Sequence, residues 1–135
     1  MDTNVLYAGL RSRRGASYEL IARLRAGEWT LLLSNTVATE YEEILLRESA
    51  ALAITPAETA KLLDDFCTLA ERCHPSERWQ PLLPDPDDEA FAHLASEAQA
   101  DYLVTHNQAH FEPLRQRGIR VVTPKAFLDT VRAGL

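Results

Sequence analysis

The chain has little that would staple, anchor or loosen it. Cysteine occurs only twice, at Cys67 and Cys73, in a spacing that fits neither a soft-metal knuckle nor a dithiol redox motif. A disulfide scaffold is thereby excluded, and a reducing compartment such as the cytosol is the expectation. Five glycines and seven prolines leave no flexible tract, repeat or internal linker. No apolar run is long enough for a membrane span or a signal peptide. Positive charge is also in short supply: 14 Lys and Arg stand against 20 Asp and Glu, a formal net charge of −6. That excludes an overall basic nucleic-acid coat but allows a local basic patch beside a cation-filled acidic cleft. What is present is a 46% hydrophobic chain of 135 residues, which predicts one globular domain over residues 1–135 with a sizeable core.

The densest information lies between Asp85 and Asn107. Asp85 suits a helix N-cap, Pro86 the first helical position, and Asp87 and Asp88 the positive end of the helix dipole. At helical spacing Phe91, Ala92, Leu94, Ala95 and Ala98 form one apolar face. Asp88 falls on that side, whereas Glu89 and His93 lie opposite. The apolar run Tyr102-Leu103-Val104 then reads as a buried strand ending in the polar Thr105-His106-Asn107.

Elsewhere the pattern alternates. Met1 to Tyr7 reads as a strand fragment containing Asp2 and Asn4, followed by a loop from Gly9 to Gly15 that carries Arg11, Arg13 and Arg14. Those arginines are either a solvated loop or a lip that contacts phosphates. A helix ended by Gly27 follows, then the strand-length run Trp29-Thr30-Leu31-Leu32-Leu33. Ser34 or Asn35 caps a helix whose stripe is Val37, Tyr41, Ile44 and Leu45, with Glu40 along its edge. Thr55-Pro56-Ala57-Glu58 predicts a capping box, His74 to Pro84 a connector with a short edge strand, Ile119 to Val122 another strand, and Thr123-Pro124 a final helix. His106 and His110 read as surface residues, and Trp79 as packing. This alternation implies helices on both faces of a parallel sheet, with the site beyond the carboxyl ends of the strands. Asp2, Glu40 and Asp88, drawn from separate segments, would repel one another there unless a divalent cation is bound, and oxygen ligands select Mg²⁺ or Mn²⁺.

In their order and spacing, Asp2-Thr3-Asn4-Val5-Leu6, Leu33-Ser34 through Glu40 to Leu45, Asp85-Pro86-Asp87-Asp88, Asp101-Tyr102-Leu103-Val104-Thr105 and Val122-Thr123-Pro124-Lys125-Ala126-Phe127-Leu128 resemble the PIN domain. They are most similar to bacterial PIN proteins of toxin–antitoxin systems, and the resemblance covers nearly the whole chain. It implies a three-layer α/β/α fold around a central parallel sheet and an endoribonuclease dependent on Mg²⁺ or Mn²⁺. RNA is the implied substrate, an antitoxin protein the implied partner, and a homodimer the family expectation. Carried over by motif, Asp2, Glu40 and Asp88 would hold the cation, Asn107 and Thr105 would orient water or the metal shell, Asn4 would brace Asp2, and Arg11, Arg13 and Arg14 would grip RNA.

Two departures bear on this. Asn107 stands where the family often has an aspartate, so one negative charge is absent and Asp85 or Asp87 would have to compensate. Only Met1 precedes the first acid, so the central strand is shortened or begins upstream, and neighbouring strands would lack ladder partners. The competing class is a PIN-like protein that binds RNA or a partner without cleaving. A phosphotransfer receiver, which would use a Lys such as Lys125, lacks paired acids before a suitable accepting aspartate.

Overall fold

The computed structural model of the chain describes residues 1–134. Its first element corrects the expected N-terminal strand, because Thr3–Arg11 is a helix, α1. Val5, Leu6 and Gly9 recur at helical spacing and are all buried, and that burial overrides the strand preference of a Val-Leu pair. Extended backbone survives only to Asp2, the N-cap, whose carbonyl accepts from Val5 N at 3.0 Å. α1 packs on α2 (Ala16–Arg25) at Gly9, where an added Cβ would lie 2.5 Å from Ile21 Cδ1 and 2.9 Å from Ser17 O. The arginine loop is shorter than expected: Arg11 lies in the last turn of α1, and Nη1 of its guanidinium donates to Ala51 O at 2.8 Å.

The strands are short and parallel. Only Leu32–Leu33 of the Trp29 to Leu33 run forms β1. Trp29 turns into the core instead, where its indole N–H donates to Leu20 O at 2.8 Å and its ring meets Phe127 edge-on. The helices α3 (Asn35–Arg47), α4 (Ser49–Leu52) and α5 (Pro56–Leu69) follow, with Ser34 capping α3 and the Thr55–Glu58 capping box starting α5. The edge strand expected within residues 74–84 lies earlier. It is β2 (Glu71–Arg72), paired parallel to β1. The helix expected from Pro86 opens as a 3-10 turn (Pro86–Asp88) before α6 (Glu89–Glu97). β3 (Tyr102–Val104) leads into a run of 3-10 turns (Gln108–Arg117) around Pro113, then β4 (Arg120–Val122) and α7 (Pro124–Arg132), capped by Thr123. β3 and β4 pair in parallel, Leu103 opposite Val121. One apolar core runs from Val5 through Tyr41, Phe66, Phe91 and Phe111 to Val131. Among the described residues no helix is long and apolar enough to cross a membrane.

The fold is therefore α/β with parallel strands, but the sheet stands as two pairs, β1 with β2 and β3 with β4. Between them is a cavity of about 360 Å³ lined by Leu31, Leu32, Phe91, Leu94, Leu103 and Phe127, with Met1 also in its wall. Alternate residues of a parallel strand turn their peptide groups to opposite neighbours. Leu31 and Leu33 carbonyls accept from Glu71 and Cys73 N–H, and Thr105 N donates to Val122 O. Leu32, Tyr102 and Val104 accordingly turn theirs toward the gap, where Asp2 N donates to Val104 O at 2.9 Å. The Met1 ammonium is buried beside this gap, and desolvation, opposed by the Asp2 charge, pulls its pKa down to about 6.

Joining a short β-forming apolar segment before Met1 is expected to fill the gap, complete the ladder and raise the thermal midpoint relative to the 135-residue chain. Thermal melting of the two proteins checks this, and equal midpoints would show that the gap takes no strand.

Candidate metal centre

Asp2 is the most deeply buried carboxylate among the described residues. It is 5% exposed, and its Oδ2 accepts from the wholly buried Thr105 hydroxyl at 2.7 Å. Thr3 Oγ1 lies 3.4 Å from the other oxygen. Position follows from the backbone: the Asp2 N to Val104 O bond places the start of α1 at the carboxyl end of β3, and Thr105 is the next residue along. Asn107 N donates to Thr105 Oγ1 at 2.9 Å, so one hydroxyl ties Asp2 to the Asn107 loop.

Asp88 comes from the opposite side. Asp85 Oδ1 accepts from Asp87 N at 2.9 Å, and the resulting turn presents Asp88 at the head of α6. Its side chain is 14% exposed. The Oδ2 atom is buried without an aligned hydrogen-bond donor, though His110 Nδ1 approaches it at 3.3 Å, an ion pair when the imidazole is protonated. Burial, then the charges of Asp2 and Asp85, push the Asp88 pKa up, and His110 only partly opposes them. The fold thus brings Asp88 within reach of the Asp2 charge.

The other expected residues are more dispersed. Glu40 is half-buried on α3, and its pKa is raised by desolvation, then by Glu43 and Asp87. The Arg47 charge only partly opposes them. Asn4 Oδ1 lies 3.4 Å from the backbone N–H of His106 as its acceptor. Arg11, Arg13 and Arg14 are exposed at the far end of α1, about 14 Å along the helix from Asp2 at 1.5 Å per residue. Arg13 lines a second hollow with Leu10, Tyr18, Arg25 and Ile54. Neither of these two hollows is lined by Asp2 or Asp88. Among the described residues no three His, Cys, Asp or Glu side chains lie close enough together to form a metal cluster.

Sequence reasoning missed two contributors. His110 is exposed, as expected of a surface residue, yet its Nδ1 also reaches Asp88 Oδ2, because the 3-10 path after Asn107 turns it back. Glu89, placed on the face away from the core, accepts from Trp79 Nε1 (2.8 Å), Leu82 N (2.9 Å) and Leu83 N (2.5 Å). Burial alone would raise its pKa, but these donors prevail and hold it below the usual carboxylate range. An acid directly after the Asp85-Pro86-Asp87-Asp88 turn was the only available signal for this capture.

The donors present fit a hard divalent cation. Two carboxylates within electrostatic reach of each other, one with a buried oxygen lacking an aligned donor, suit Mg²⁺ or Mn²⁺, which typically bind through one or two carboxylates and keep several waters. A protein-family model described as PIN domain matches residues 1–109. No curated protein and no solved structure matches the chain.

Because Asp88 is raised in the folded protein above its ordinary 3.8, its ionised form is a cost that vanishes below that value and persists above the raised one. Asp88→Asn is expected to raise the thermal midpoint at pH 7, with the advantage disappearing as pH falls below about 4. Mn²⁺ is expected to stabilise the parent but not this variant. Melts against pH and Mn²⁺ check both.

Removing the hydroxyl in Thr105→Val leaves Asp2 Oδ2 buried and unpartnered, an expected loss of about 1–3 kcal/mol. Denaturant unfolding checks it.

Proposed function

We propose, from the premise that this chain belongs to the PIN-domain family, a family of nucleases, that it is an endoribonuclease dependent on Mg²⁺ or Mn²⁺. The observation that carries the proposal is that Asp2 and Asp88, two sequestered carboxylates 86 positions apart in sequence, lie within electrostatic reach of one another, with one oxygen of Asp88 free of an aligned donor.

In this reading Asp2 and Asp88 would hold the cation directly, and Glu40 would hold it or one of its waters. A bound divalent ion supplies Lewis acidity at the phosphodiester and a water of lowered pKa. The chain's own part is to hold both carboxylates in place. Thr105 donates to Asp2 and locks its rotamer, while His110 orients Asp88 from the outside. Asn107, braced through its backbone on Thr105, offers an amide to orient a phosphate oxygen or water. Arg11, Arg13 and Arg14 contact the RNA backbone beyond the scissile bond. The resemblance of the motifs from Asp2 to Asn107 extends the proposal to a cytoplasmic toxin component, acting as a homodimer and restrained by an antitoxin protein.

Asn107 favours one second reading. With an amide in place of a carboxylate the site has less negative charge, and the protein then engages RNA or a partner without cutting it. Incubation with single-stranded RNA and Mn²⁺ separates the two. A nuclease cleaves, stops with EDTA, and loses activity in Asp2→Asn while keeping its fold by circular dichroism. Retention of intact RNA supports the binding reading.

Replacing Arg11, Arg13 and Arg14 together with Ala is expected to weaken RNA binding and to reduce the slope of log affinity against log salt by about 2. Titrations at several salt concentrations measure it, and an unchanged slope removes these residues from the RNA path.

A further inference from the structure

The connector between β2 and the Asp85 turn has no regular structure, yet it is tied down at one place. Trp79 is half-buried. Its ring stacks on His93 of α6, with centroids 4.8 Å apart and planes 19° from parallel. The Arg117 guanidinium lies over the same indole, 5.2 Å from its centroid, in cation–π range. Its N–H is taken by Glu89, whose carboxylate also accepts from Leu82 and Leu83 N–H. One indole therefore joins three segments: the connector, α6 immediately after Asp88, and the end of the 3-10 run that carries His110.

Those are the segments that flank the carboxylate pair. Glu89 adjoins Asp88 in the chain, and Arg117 ends the run that begins just after Asn107. We propose that Trp79 and Glu89 are positioning residues, a clamp that sets the separation between Asp88 and the Asn107–His110 segment and so the width of the cation site. The proposal rests on the nuclease reading for what occupies that site. It does not rest on it for what the clamp holds in place. Trp79 bonds to Glu89, Glu89 accepts from Trp79, Leu82 and Leu83, and neither side chain bonds to Asp2 or Asp88, so the effect passes through backbone position, as with the outer groups that orient metal ligands.

Two substitutions probe the clamp with small steric change. Trp79→Phe keeps an aromatic ring for His93 and Arg117 but removes the N–H. Glu89→Gln puts an amide NH₂ where one carboxylate oxygen stood, so the indole or the Leu82–Leu83 pair loses its acceptor. Leu62→Ala, a cavity in α5, serves as a variant that lowers stability without touching the clamp. On the full chain, Mn²⁺ binding by calorimetry, kcat and KM on single-stranded RNA, and amide exchange at Asp87, Asp88 and His110 are measured together. Expected are a loss of about tenfold in Mn²⁺ affinity in both clamp variants and faster exchange at Asp87 and Asp88. Leu62→Ala should melt earlier yet bind Mn²⁺ as the parent does.

Folded clamp variants with parental affinity and parental exchange overturn the proposal, as does an equal affinity loss in Leu62→Ala. Should the parent bind no Mn²⁺ and leave RNA intact, it is the nuclease reading that fails. Exchange then decides the clamp alone: faster at Asp87 and Asp88 in both variants sustains it, and unchanged rates overturn it. If Glu89→Gln does not fold, Trp79→Phe decides between the same two outcomes by itself.

Discussion

Two hydrogen bonds at the start of the chain hold the architecture to its chemistry. Asp2 N donates to Val104 O, and the Thr105 hydroxyl donates to Asp2 Oδ2. The first fixes where α1 begins, and the second fixes where the carboxylate points. Both partners are consecutive residues at the end of β3, so the site inherits its geometry from a strand end, where backbone direction is set by pairing with β4. A buried carboxylate with one strong neutral donor remains poorly compensated, and the approach of Asp88 worsens the imbalance. The raised Asp88 pKa reflects its burial first and then that crowding, and a divalent cation is the simplest group that relieves both.

The local electrostatics also explain why the rest of the acidic surface is spectator charge. Glu19 is satisfied by Arg132 and Arg23, and Asp65 by Lys61 and Arg25, and each of these acids has its pKa lowered by its partners. Such pairs are exposed and contribute little to stability. Asp88 and Glu40 move the other way, both pushed up by burial and by neighbouring acids. Excess negative charge spread over a surface costs little; around Asp88 and Glu40, His110 and Arg47 offset it only in part.

Much of this is legible in the residues. The caps at Ser34, Thr55 and Thr123 are readable because a cap is a contact between neighbours in sequence. The inward turn of Asp88 follows from helical phase, and the parallel alternation from the spacing of Leu32, Tyr102 and Val121. The departures from expectation share a cause. Met1 to Tyr7 is too short for its period to be distinguished, and α1 is decided by burial against α2 at Gly9. Trp29 leaves its strand for a carbonyl on α2. His110 meets Asp88 and Trp79 meets Arg117 across 22 and 38 positions of sequence, along a 3-10 path that no periodicity announces. Glu89 sits on the expected helix in unexpected company, because its partners come from a connector with no pattern of its own.

The gap between the two strand pairs has a consequence for the protein in bulk. Peptide groups of Leu32 and Tyr102 that face an apolar opening are receptive to any extended chain that reaches them, including one from a neighbouring molecule. In concentrated solution such mutual insertion competes with solubility, since each docked chain adds rungs and hides oily surface at the same time. Colloidal behaviour and fold completeness are therefore linked in this protein: whatever closes that opening also governs how densely its molecules can be crowded before they aggregate.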